Sequence, residues 1–374
     1  MRRILAVLVA AVLTAAFLCL PTAPAAALTR SEQWRAIGET AIARYEAATP
    51  PTSFKPMVWS AAMLAYADLR GWSDPHIPVL IDRLMDARNP DGGWGVSAAL
   101  DAWQDGTKNP ASTTYTVTLS GHVGPALLRA YQAGVFTDPE PLQTVVKLLM
   151  TTAKSTTSAG DCFAYSRAAA DVPSADRPCI HNVNASVAHY LLRSKAAGFD
   201  RGGLAAQVTS LTRREISAYN VSWAGWPYAD GRTVAQELDH GSYSALLMLD
   251  LAYPIGREAM TAVVGRQGTD VDTVLGHLRI AASPPGPPVF GGSWCAAGDR
   301  YIAEAQNAAQ TWTSATDLAA IAQGAARNAA ACAEPGGPGA PPTTTPPTTR
   351  PASDPTTPPS PWPDPTTAGS AGRS

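Results

Sequence analysis

Residues 89–95 read Asn89-Pro90-Asp91-Gly92-Gly93-Trp94-Gly95. Asn-Pro and Asp-Gly start chain reversals, and paired glycines supply backbone angles that side chains resist. Before this turn, 77–87 carries apolar residues at helical spacing. After it, 113–133 does the same and stops at Gly134, a residue suited to a helix C-terminus. Helix, glycine-tryptophan turn, polar loop and helix make one helical hairpin. The same rhythm recurs along the chain. Alanine- and leucine-rich helical patterns fall at 31–48, 55–69, 77–87, 113–133, 140–153, 183–197, 204–219, 234–251, 257–264, 271–281 and 301–328. No stretch alternates as a half-buried strand does. The pattern predicts an all-α domain of about eleven helices.

The two ends of the 374-residue chain read differently. Arg2-Arg3, the apolar run Ile4 to Leu20, Pro21 and Ala25-Ala26-Ala27 have the layout of a secretory signal peptide over 1–27. Phe17-Leu18 are too bulky for a lipoprotein signal at Cys19. The expectation is a secreted, extracellular protein with no membrane segment after signal removal. Residues 334–374 are rich in Pro and Thr and poor in apolar side chains. They cannot bury enough surface to offset ordering entropy, so they read as a disordered spacer suited to cell-wall association. The domain is therefore expected over 28–333.

Charged residues make up only 16 % of the chain and the formal net charge is −2, which argues against a nucleic-acid partner. Oligomeric state leaves no signal. Cys162, Cys179, Cys295 and Cys332 remain after signal removal. An even count in a secreted chain predicts two disulfides, with the local pairs 162–179 and 295–332 favoured among three connectivities. No CxxC or Cys/His cluster suggests a zinc site, and no cofactor is expected.

Four long segments, 89–112, 155–182, 220–232 and 283–299, are rich in Gly, Trp, Asp and Asn, and long loops in compact domains are usually functional. If the hairpins form a ring, these loops gather at one mouth lined by Trp94, Trp103, Trp223, Trp226, Tyr228 and Trp294. Asp101 and Asp105 are spaced to share one side of a turn, as an acid–base pair requires. With Thr107 and Asn109 they also offer oxygens to a Ca2+ ion, and Asp-Gly and Asn-Pro turn chemistry explains the same residues. His181, Asn182 and Asn184 follow Cys179, with Asn182 or Asn184 also suited to cap a helix. Asp239 could orient His240 as a base, with Tyr243 nearby.

The 89–95 turn resembles the NPDGGWG turn of the terpenoid cyclase and protein prenyltransferase superfamily. Gly225-Trp226-Pro227-Tyr228 and Gly291-Gly292-Ser293-Trp294 are weaker echoes. That resemblance implies an α/α toroid, a double-walled barrel of helical hairpins with long loops at one mouth. Gly92 and Gly93 would take positive φ, and Trp94 would pack across helix ends. The superfamily's cyclisation motif has only the partial counterpart Asp270-Val271-Asp272-Thr273, better read as a helix N-cap. Secreted α/α toroids also resemble carbohydrate-active families: glycosidases, polysaccharide lyases and uronate epimerases. The similarity implies an enzyme acting on an extracellular polysaccharide, as a glycoside hydrolase through Asp101, Asp105 and Asp239, or as a lyase through His181, Asn182, Asn184, His240 and the tyrosines Tyr115, Tyr165 and Tyr228. Trp94, Trp103, Tyr115, Asn184, Trp226 and Tyr228 would hold the sugar. A non-catalytic polymer-binding module and a cyclase-like enzyme with a deep apolar cavity are the alternatives.

Overall fold

A computed structural model describes residues 28–265, 270–281 and 299–333. The expected signal peptide and tail, Trp294 and Cys295 lie outside these residues. The described part contains twelve α-helices: α1 (Arg30–Ala47), α2 (Lys55–Arg70), α3 (His76–Asp86), α4 (Gly124–Gln132), α5 (Glu140–Thr151), α6 (His181–Ala196), α7 (Leu204–Ala218), α8 (Leu238–Asp250), α9 (Pro254–Gly265), α10 (Val271–Ala281), α11 (Asp299–Thr311) and α12 (Ala315–Ala331). A π-helical segment, Thr118–Val123, leads directly into α4.

The helices alternate between two walls. The even-numbered helices form the inner ring: α2 packs on α4 through its π-helical lead, then α6, α8, α10 and α12 follow, and α12 returns to α2. The odd-numbered helices pack outside them. Burial follows from position. Outer α3 is amphipathic and buries Ile77, Leu80, Ile81 and Leu84 on one face. Inner α2 buries Val58, Ala61, Ala62, Met63, Leu64 and Ala65, residues that point in all directions, because both its sides face protein. The fold is an all-α, α/α toroid.

Two boundaries differ from the sequence reading. The pattern at 301–328 is two helices, because the Ser314 hydroxyl accepts the Asp317 N–H and starts α12. A short antiparallel hairpin, β1 (Lys154–Thr157) and β2 (Gly160–Phe163), sits in the loop before α6. Its alternation is too short to register as a pattern. Asp161 holds it together, accepting from Lys154 and Gln207 and from the Thr156 hydroxyl at 2.7 Å.

The 89–95 turn caps the α3 end. Trp94 is buried and donates its indole N–H to the Leu84 carbonyl at 2.5 Å. Its own carbonyl receives the Tyr115 N–H, and the Val96 carbonyl receives the Phe54 N–H that precedes α2. Asp91 accepts from the Gly93 N–H and the Thr114 hydroxyl. The turn therefore fastens the end of α3 to the starts of α2 and α4. Gly92 has φ +85°, whereas Gly93 and Gly95 are required for room. A Cβ on Gly95 would lie 2.1 Å from the Thr113 carbonyl oxygen.

Gly95→Ala should cost about 1–3 kcal/mol by forced overpacking, lowering the melting temperature by roughly 2–10 °C. Gly202→Ala, where nothing lies within 4 Å, should leave it within a degree or two. Differential scanning calorimetry of both variants checks this.

Candidate active site at the mouth

The connections from inner to outer helices at 71–75, 133–139, 197–203 and 251–253 are short. The long connections, 87–117, 152–180 and 219–237, each run from the end of an outer helix to the start of an inner one. They therefore lie at the same end, where the inner helices begin. Their N-termini add positive potential to that mouth.

Each of these loops contributes an aromatic side chain to one wall. Trp103 meets Tyr165 edge-on at 6.0 Å between ring centroids, Tyr165 meets Tyr115 at 5.8 Å, and Tyr228 meets the His240 ring at 5.3 Å. Ile180, Val183 and Ala229 back the wall. Trp103, Tyr165 and Tyr228 stay half-buried, with the Arg177 guanidinium over the Trp103 ring at 5.1 Å from its centroid, while Tyr115 is fully buried. A buried carboxylate, Asp171, holds the wall in place. It accepts from the Trp103 indole at 2.8 Å, from the Asn109 amide at 2.8 Å and from the Ser166 hydroxyl at 2.5 Å.

The ionisable residues gather around the starts of α8 and α10. His240 bonds Glu237 at 3.1 Å. Asp270 caps α10 through the Thr273 N–H and hydroxyl. Asp272 does not share that capping role. Burial pushes its carboxyl above the usual range, and the like charges of Asp239, Glu237 and Asp270 add to the rise against the opposing charge of His240. Asp239 and Asp272 thus stand on neighbouring inner helices, and the charge of Asp239 contributes to the rise of the Asp272 carboxyl. The sequence reading treated Asp272 only as part of a cap. That contribution is invisible there because it depends on α8 and α10 being neighbours in the ring.

Several residues singled out from the sequence occupy other places. Trp226 is buried and donates to the Glu215 carbonyl at 2.8 Å. Trp94 stabilises the α3 end, as described. Asn184 is buried, accepting the Phe163 N–H at 2.9 Å and contacting Cys179 Sγ. None of these three offers a face to a ligand. Asn182 is 5 % exposed, and its side-chain oxygen is buried without a partner. His181 is fully buried between Glu215, 3.0 Å from Nδ1, and Asp230, 3.1 Å from Nε2. Glu215 also accepts from Ser244, and Asp230 pairs with Arg214. This network fastens α6, α7 and α8 together, which is a structural task. Of the lyase set, His181, Asn182 and Asn184 are therefore buried, whereas Tyr165, Tyr228 and His240 belong to the aromatic wall with Tyr115 buried beside them.

Asp101 and Asp105 lie on the first loop, but their oxygens are committed. Asp101 accepts the N–H groups of Asp105 and Gly106, and Asp105 accepts the Thr107 N–H and pairs with Arg177. The Thr107 N–H, followed by Arg177, holds the Asp105 carboxyl below the usual range. With a guanidinium already in place, the loop is built as a turn, and a Ca2+ ion would have to displace Arg177. No group of three or more metal-binding side chains occurs among the described residues. Cys162 and Cys179 form a disulfide that ties β2 to the start of α6, contributing about 3 kcal/mol through loop closure. Cys332 is also disulfide-bonded. No helix of the described residues is long and apolar enough to cross a membrane.

Comparison of the chain with protein-family models and with curated proteins by sequence finds no match. Comparison with solved structures does. The α-1,6-mannanase GH76A of Salegentibacter sp. HEL1_6 matches with a TM-score of 0.50 and 11 % identity, over 79 % of this chain and 98 % of that one. Inactive variants of the same enzyme, each with two aspartates replaced, match with a TM-score of 0.51, one in complex with α-1,6-mannotriose and one with α-1,6-mannotetrose. At this identity the likeness concerns the fold, and it extends over nearly the whole of the mannanase. The replaced aspartates of those variants are consecutive. This chain has no two consecutive aspartates.

Burial alone would push the His181 imidazole down, but Glu215 and Asp230 outweigh it and raise its pKa to about 9. The raised pKa means that its stabilisation is complete below about pH 6.5, the unfolded value, and fades as the pH rises through 9. The stability difference between wild type and His181→Gln should shrink by on the order of 3 kcal/mol between pH 6 and pH 10, read by urea denaturation at each pH. A constant difference would contradict the ion-pair account.

Proposed function

We propose that this protein is a secreted glycoside hydrolase that acts on an extracellular polysaccharide laid across the mouth of the toroid. The carboxylates Asp239 and Asp272, beside an aromatic wall, carry the reading. Hydrolysis of a glycosidic bond needs one carboxylic acid to protonate the leaving oxygen and one carboxylate to act from the other side. Asp272, whose carboxyl is held up by burial and like charge, suits the acid. Asp239 suits the base or nucleophile, with His240 and Glu237 setting the local charge. Trp103, Tyr165 and Tyr228 offer the flat faces on which sugar rings stack. The burial of His181, Asn182 and Asn184 favours a hydrolase over a lyase. The likeness of fold to a mannanase is consistent with this and makes α-mannans the first polymers to try.

A polymer-binding module is the second reading, and the absence of consecutive aspartates is the observation that favours it. Incubation with a panel of neutral and uronic polysaccharides, following reducing ends and the ultraviolet absorbance of unsaturated uronate, separates the possibilities. The expected result is reducing ends without absorbance. Asp272→Asn and Asp239→Asn should each lower kcat by about 10²–10⁴-fold with little change in melting temperature. Retention of binding to insoluble polymer with no release of reducing ends would favour the binding module. The N-terminus of the secreted protein is expected at Leu28, read by mass spectrometry of the culture supernatant.

A further inference from the structure

His181 and Asn184, at the start of α6, are employed in joining elements of the fold. His181 meets Glu215 and Asp230, and Asn184 accepts the Phe163 N–H. Asn182, between them in sequence, has no such task. It is 5 % exposed, and its amide oxygen is buried with no hydrogen-bond partner. Nor does it cap the helix, since α6 starts after Ile180 with no side-chain cap. A buried polar atom left unpaired lowers stability. Folded chains keep such local inconsistencies mainly where a functional site needs them.

The position of Asn182 on α6 shows where its amide can act. It stands four, seven and eleven residues before Ser186, His189 and Arg193, close to one, two and three helical turns. Those three residues line a cavity of about 300 Å³ within the inner ring. On α8, Asp239 stands four and seven residues before Tyr243 and Leu246, which line the same cavity. α6 and α8 pack on each other. Asn182 and Asp239 therefore continue two adjacent cavity-lining stripes up to the mouth. The aromatic wall meets both stripes there. The His181 N–H donates to the Tyr228 carbonyl at 3.1 Å, and the Tyr228 ring meets His240, the residue after Asp239.

We propose that Asn182 is a substrate-binding residue of the mouth, whose amide exchanges hydrogen bonds with neighbouring hydroxyls of the neutral sugar unit that lies at Asp239. This rests on the reading of the mouth as a glycan site. A carboxamide presents an acceptor and two donors side by side, which matches two adjacent hydroxyls. An amide adds no charge, and Asp239 and Asp272 disfavour an anionic sugar beside them. No bond to the oxygen has to break for the side chain to turn toward a ligand. A move between staggered wells is enough.

Substitutions in the full-length secreted protein separate binding from support of the fold. The readouts are reducing ends released from α-mannan and the other polysaccharides of the panel, binding of the same polymers, and melting temperature. Asn182→Ala should lower kcat/KM at least tenfold on the polymer that the wild type cleaves, and weaken binding of that polymer to the Asp272→Asn protein by a similar factor. Because it removes an unpaired amide, it should leave the melting temperature within about 2 °C of wild type or raise it. Asn182→Ser, which keeps one donor and one acceptor, should recover part of the activity. The control is Thr212→Val on outer helix α7, where a buried hydroxyl is also without a partner. It should leave kcat/KM unchanged. Unaltered kcat/KM and binding in Asn182→Ala would overturn the proposal and leave the hydrolase reading standing, as would cleavage confined to the uronic polysaccharides. Lost activity together with a melting temperature lowered by roughly 5 °C or more, and no recovery in Asn182→Ser, would assign the residue to the fold and overturn the proposal too. Tenfold weaker binding in a protein that releases no reducing ends would uphold the contact and overturn hydrolysis instead. A wild type that neither binds nor cleaves any polymer of the panel would overturn both.

Discussion

The packing of α12 between α1 and α2 closes the ring, and every other feature of the molecule depends on that closure. Helices from opposite ends of the described chain meet here over small residues. Ala319, Ala322, Ala325, Ala326 and Ala329 of α12 are buried, and Gly38 of α1 lies so near Leu69 that a Cβ would come within 2.9 Å of it. The Ser31 hydroxyl donates to the Ala329 carbonyl across the seam, and Arg44 reaches the Ala309 carbonyl on α11. Alanine and glycine suit a seam of this kind because they let helix backbones approach closely, so dispersion contacts are made over the whole length. Without the seam, the inner ring would enclose no lumen.

Closure also sorts the loops. The fully described inner-to-outer links are short, so the long described segments 87–117, 152–180 and 219–237 fall at the end where inner helices begin. Charge follows the same geometry. Helix N-termini face the mouth, where the carboxylates Asp239 and Asp272 sit, and the arginines Arg129, Arg193 and Arg327 lie toward inner-helix C-termini. Both arrangements place side-chain charge against the opposite end of the helix dipole. The two ends of the toroid are thereby given opposite character by one topology.

Much of the architecture was legible in the sequence, because helix periodicity and glycine-tryptophan turns are local signals. The hairpin rhythm follows from spacing, the turn at 89–95 from its residue types, and the local Cys162–Cys179 pairing was the favoured one of three connectivities. The division at Ser314 carried a local sign, a serine three residues before Asp317, that a continuous apolar pattern concealed. The site was less legible, since residue type does not report burial. His181, Asn184, Trp94 and Trp226 have the chemistry of site residues, but the fold uses them to join helices. Asp171 and Glu215 gave no sequence signal, and their importance comes from which donors surround them. Asp272 looked like a cap until its neighbour on the next inner helix was known. His240 and Asp239, at the start of α8, and Trp103 and Tyr228, on the long loops, were singled out from residue type and the loops that carry them.

The central claim is that the mouth, at Asp239, Asp272 and the wall of Trp103, Tyr165 and Tyr228, is where a glycan chain is engaged. A crystal structure of the Asp272→Asn variant soaked with a linear oligosaccharide of a polymer that the protein binds tests it most directly. The account predicts sugar rings against the aromatic wall, with one glycosidic oxygen within hydrogen-bond reach of the residue 272 side chain and Asp239 on the other side of the same sugar. An oligosaccharide bound on the outer wall, or across the mouth with no ring near Asp239, would contradict it.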